Sequence, residues 1–133
     1  MSVTIELDEK CRRATAVVPA ETRWSSFEET VLAQVNRNPT LADWNWIIDD
    51  QGPMDDVDVY GMIRIGEAFR RLTQAPSRQT HTVVVTTDPH FPTWARVIDH
   101  NYGKRKHHHS APTKGAAATL LDQLDAVGEN AVA

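Results

Sequence analysis

The chain is poor in the features that tie a protein to a disulfide scaffold, a membrane or a polyanion. Cys11 is its single cysteine, which excludes an internal disulfide and a cysteine-rich zinc site. No run approaches the roughly 20 apolar residues that a membrane-spanning helix needs. Positive charge is also short, with 14 Lys and Arg against 18 Asp and Glu and a net charge of −4. A general nucleic-acid binder neutralises phosphates with a basic excess, so nucleic acid is not an expected partner. Gly-x-Ser-x-Gly and the glycine-rich phosphate loops are absent, which removes the usual sequence marks of a serine hydrolase or a nucleotide binder. From Met1 to Arg12 polar and apolar residues alternate, without the apolar stretch of a secretory signal. The expected location is the cytoplasm.

What is present suits one domain. The chain has 133 residues, 41% of them apolar and 24% charged, within the ordinary range of a globular fold. A domain of that size buries about two-thirds of the surface its unfolded chain exposes, and needs no staple. Residues 1–128 read as a single α/β domain, and 129–133 as a frayed tail.

The pattern alternates strand and helix. Val3, Ile5 and Leu7 share one face of a first strand. Ala14–Val18 reads as a second, completing a hairpin that Pro19 ends. Ser25 with Glu28, and Ser26 with Glu29, fit the capping-box spacing before Phe27, Val31 and Val35 recur on one helical face. Asn36–Pro39 breaks that helix. Trp44–Ile48 is bulky and β-prone, as a central strand covered on both faces should be. A helix from Val57 to Leu72 follows, with Gly61 and Gly66 inside it to let its backbone approach the sheet. Thr80–Thr86 is a β-branched strand. Asp88 and Pro89 predict a helix start, Gly103 a stop, and Lys106–Ser110 a polar edge strand. Thr113 opens a last helix that Gly128 ends. The order ββαβαβαβα predicts a mixed, largely parallel five-stranded sheet with four helices, joined by right-handed crossovers.

That order, the strand end Ile47-Ile48-Asp49 and the helix-starting loop Asp50-Gln51-Gly52-Pro53-Met54-Asp55 resemble the STAS domains. This is the anti-sigma-factor antagonist family with the SpoIIAA-like fold, and the resemblance runs from about Val3 to Val127. It implies a non-enzymatic regulatory module with a protein partner, or a domain that binds a small ligand near the helix after the central strand. Many members carry a phosphorylatable Ser or Thr there. Nothing between Asp49 and Val59 has a hydroxyl, so the phospho-switch is not expected.

Two residue sets stand out as candidate sites. Asp50, Gln51, Asp55, Asp56 and Asp58, next to Asp49, lie where α/β sheets gather ligands, at the carboxyl end of a strand. They suit a basic partner surface or a hard cation, while ordinary helix capping explains the same aspartates. Trp44, Trp46 and Trp94, with Trp24, Phe91 and Tyr102, suit either a packed core or a pocket for a small molecule or lipid. His107, His108 and His109 follow Lys104–Lys106. On a strand His107 and His109 share a side that His108 does not, which fits a solvated edge better than a closed metal site. His81, His90 and His100 read as surface or satisfied polar residues rather than catalytic bases. A metal-dependent enzyme at Asp49, Asp50 and a histidine is the remaining class. No cofactor is expected, and a homodimer through an open sheet edge is compatible with the pattern.

Overall fold

The computed structural model describes residues 2–52, 54–74, 79–103 and 105–132. Among them the order is β1 (Thr4–Asp8), β2 (Arg13–Val18), α1 (Trp24–Arg37), a 3₁₀ turn (Pro39–Asp43), β3 (Asn45–Asp50), α2 (Val59–Leu72), β4 (Thr80–Val85), α3 (Phe91–Asn101), β5 (Lys106–Ala111) and α4 (Lys114–Val132). The strands form one sheet in the order β1-β2-β3-β4-β5, antiparallel for the first pair and parallel for the rest. This is the mixed five-stranded α/β sheet that the pattern predicts.

Right-handed crossovers between consecutive parallel strands put every connecting helix on the same face. Accordingly α1, α2 and α3 pack side by side over one face, against Ala14, Ala16, Val18 and Trp46. Helix α4, which follows β5, crosses the opposite face, where Ala117 and Leu121 meet Ile47, Val83 and Ala111. The central strand is therefore covered on both sides, Trp46 pointing one way and Ile47 the other.

Several helix ends differ from expectation. The Ser25 and Ser26 capping boxes do not form. Helix α1 starts at Trp24 without a local side-chain cap, and the free Trp24 N–H donates to Asp56 Oδ1 at 3.0 Å, across 32 residues of chain. Helix α2 begins two residues later than Val57, capped by Asp58, which accepts from Tyr60 N–H at 3.0 Å. Helix α3 begins at Phe91 with Pro92 in its first turn, not at Pro89. Asp88 instead accepts from His90 N–H at 2.9 Å in the turn before it. Thr113 does open α4, its Oγ1 accepting from Ala116 N–H at 3.0 Å. The helix runs through Gly128 to Val132 rather than ending there; one helical glycine costs only about 1 kcal/mol.

The two α2 glycines meet neighbouring helices rather than the sheet. A Cβ on Gly61 would strike Trp24 and Glu28 of α1, and one on Gly66 would stand 2.9 Å from the Asn101 carbonyl oxygen of α3. The expected stop at Gly103 is present, with φ of +66°. Glycine here sets the spacing of the helical layer, and that layer roofs the site.

Candidate functional site

Between the sheet and α1–α3 lies a cleft of about 860 Å³. Its floor is built by parallel register. Trp46, Thr82 and His108 form one row across β3, β4 and β5, and Ile48 and Val84 the next. Residues two apart on a strand share a face and lie roughly 6.6 Å apart. From the Trp46 row to Asp50 the cleft thus extends roughly 13 Å toward the carboxyl ends of the strands. The helices supply Trp24 and Phe27, Met62 and Ile65, and Trp94 and Ile98 as its other wall.

The mouth is an apolar rim with acidic groups set into it. Val57, Val59 and Trp94 line the cleft and are 47%, 52% and 50% exposed. Asp50, Gln51 and Asp55 line it as well, whereas Asp56 and Asp58 do not. The last two are spent on the starts of α1 and α2. Asp58 also meets Arg64 at 3.3 Å, and Arg64 grips both oxygens of Glu28 at 2.7 and 2.9 Å, tying α2 to α1. Arg64 above all, then Trp24 Nε1–H, holds the Glu28 carboxyl below its usual range, against the opposing effect of burial.

Asp50 has the reverse character. Its Oδ1 is buried with no hydrogen-bond partner among the described residues. Burial first, with the Asp49 charge, raises its pKa against the Gly52 N–H that lowers it. Surroundings of this kind disfavour the charged form of the carboxyl.

At the inner end, His108 is fixed by Asp99 of α3. One carboxylate oxygen receives both the His108 backbone N–H, at 2.7 Å, and its Nδ1, at 2.8 Å. The same contact covers the outer N–H of the edge strand, a common protection against edge pairing. Tyr102 packs its ring 4.8 Å from the imidazole and 5.4 Å from Phe69.

Compared with family models, curated proteins and solved structures, this chain matches none.

The aromatic set is divided by the fold. Trp46 and Trp94 line the cleft, joined by Trp24, Phe91 and Tyr102. Trp44 does not: it precedes β3 and is buried in the core, only 7% exposed. The histidine run is divided as well. His108 faces the cleft, while His107 and His109 stand on the α4 side with His81, whose Nδ1 is 3.0 Å from His109 Nε2. Of the two readings of His81, the satisfied polar residue fits; burial chiefly, then His109, depresses its pKa to about 4. The strand is at the sheet edge as expected, but it is not a solvated one, since Lys106 is 3% exposed and the His108 side chain 5%. Among the described residues no three His, Cys, Asp or Glu side chains are arranged to hold a metal ion, so Asp49, Asp50 and a histidine do not form the metal centre weighed above. No helix among them is long and apolar enough to cross a membrane. The sequence pattern missed the Asp99–His108 pair, because nothing in the spacing of nine residues signals that a helix face will turn back onto the next strand.

Proposed function

We propose that this protein binds one small, mainly apolar molecule in the cleft between the sheet and α1–α3. The observation that carries this reading is the cleft itself. Its volume of about 860 Å³ falls in the range of small-molecule sites, roughly 300–1,000 Å³. Such sites combine an apolar lining with a few fixed polar groups, and here those are Asp50 at the rim and His108 within. The position at the carboxyl ends of parallel strands is where α/β sheets commonly take ligands. This is also the small-ligand branch of what the STAS resemblance implies, so a STAS-like regulatory domain that senses a ligand remains the family-level proposal. The protein-partner reading is the weaker branch, because Asp56 and Asp58 of the acidic loop are committed to helix starts.

Titration with the neutral fluorescent dye N-phenyl-1-naphthylamine tests the reading. The wild-type protein should bind one dye per chain with blue-shifted emission. Val84→Trp, which places an indole on the cleft floor, should weaken binding at least about tenfold, the order expected when roughly 1.4 kcal/mol of contact is lost, and should keep a cooperative unfolding transition. Wild-type protein that takes up no dye, or binding indifferent to the filled cleft, contradicts it.

A further inference from the structure

We propose that the molecule bound in the cleft carries a hydrogen-bond donor, a hydroxyl above all, which His108 Nε2 receives; this rests on the cleft being a ligand site. One carboxylate oxygen of Asp99 holds the residue twice, the imidazole through its Nδ1 at 2.8 Å and the main chain through its backbone N–H at 2.7 Å. A neutral imidazole has one N–H, and a carboxylate can only accept. The proton therefore resides on Nδ1, and Nε2 presents a lone pair. The Nδ1 bond, with the Tyr102 ring packed 4.8 Å away, orients the imidazole and its Nε2 lone pair.

His108 lines the cleft, and no group of the described residues donates to its Nε2. The ring is 95% buried by side-chain area, at 5% exposure, among Tyr102, Trp46 and Thr82. A donor on the ligand gives this acceptor the partner that the described residues do not supply. Burial lowers the His108 pKa more than Asp99 raises it, which favours the neutral ring. Asp99 for its part stays ionised: the two His108 bonds and the nearby imidazoles more than offset its burial and leave its pKa below the usual carboxylate value. The Thr82 hydroxyl is the neighbour in register on β4. It can complete the site by donating to the same ligand oxygen, so a hydroxyl, both donor and acceptor, fits better than an amine.

A matched pair of probes separates this proposal from the cleft itself. 2-Naphthol and 2-methoxynaphthalene share a ring and differ in the donor. Calorimetric titration should give 2-naphthol at least about tenfold tighter binding, the equivalent of about 1.4 kcal/mol, and the preference should vanish in His108→Phe. In unmodified protein, the ¹⁵N resonance of His108 Nε2 should move on adding 2-naphthol and stay in place with 2-methoxynaphthalene, a readout that does not depend on the variant folding. Equal affinities with a stationary Nε2 resonance overturn the donor proposal and leave the cleft standing. A 2-naphthol preference that survives in His108→Phe overturns it too. Binding of neither probe overturns both proposals.

Discussion

Raising the pH from 7 to 9.5 should stabilise the wild-type protein against urea by about 3 kcal/mol, and Lys106→Met should flatten that rise. Lys106 is 3% exposed. Its Nζ donates to the Trp44 carbonyl oxygen at 2.8 Å and sits 5.5 Å from the centre of the Phe69 ring. Burial is the main cause that lowers its pKa from 10.5 to about 7, with the Asp43 charge opposing. Below pH 7 the amine is protonated in both the folded and the unfolded chain, and the folded chain bears the full cost of a desolvated charge. Between 7 and 10.5 the unfolded chain still binds a proton that the folded chain has released. More protons on the unfolded side means that stability rises with pH, by up to about 1.4 kcal/mol per unit. The depressed imidazoles His81, His108 and His109 act at lower pH, and the raised Tyr102 hydroxyl acts only above 10. Methionine keeps the length and drops the charge. A wild-type profile that is level between 7 and 9.5 would mean that the amine keeps its proton, drawn by Asp43 and the Trp44 carbonyl.

Trp46→Ala should cost about 3–5 kcal/mol of stability, while Trp94→Ala should stay within about 0.5 kcal/mol and yet weaken N-phenyl-1-naphthylamine binding several-fold. Both indoles line the cleft, so the contrast lies in what else each one does. Trp46 is 1% exposed, stacks edge-on to Phe69 at 5.5 Å, and donates from Nε1 to the Leu41 carbonyl oxygen at 2.9 Å. Its removal opens the core and strips a buried carbonyl of its donor, two losses that add. Trp94 is 50% exposed on the first turns of α3, so little of its apolar area is spent on the fold. Equilibrium urea unfolding and dye titration of the two variants measure the split. Equal destabilisation by both would place Trp94 in the core rather than at a mouth.

The fold was legible where the pattern is local. Alternation in Val3–Leu7 and Ala14–Val18, the β-branched runs at Ile47–Ile48 and Val83–Val85, and the stop at Gly103 are set by neighbours along the chain. The regions that misled are set by neighbours across it. Asp56 caps a helix 32 residues earlier, which no capping-box spacing can reveal. Pro39–Asp43 becomes a 3₁₀ turn, so Leu41 can bury fully and accept from Trp46. Lys106 and His108 read as polar because they are polar. They are buried because Phe69, Tyr102 and Asp99 arrive from α2 and α3 to cover them. The candidate site was half legible for the same reason. Strand-end logic located Asp50 and Gln51, and aromatic content pointed to Trp46 and Trp94. The inner end depends on which face of β5 meets α3, and that only the packed layers decide.

The two faces of the sheet provide an internal control for the central claim. Ile48, Met62, Val84 and Ile98 carry methyl groups that line the cleft or pack beside it, while Val83 and Leu121, each 0% exposed, lie under α4 on the other side. Methyl-labelled NMR titration with N-phenyl-1-naphthylamine reads both at once. The resonances of Ile48, Met62, Val84 and Ile98 should shift together and saturate at one dye per chain, with Val83 and Leu121 unmoved; shifts spread evenly over both faces, or none at all, would contradict a ligand site between the sheet and its three-helix layer.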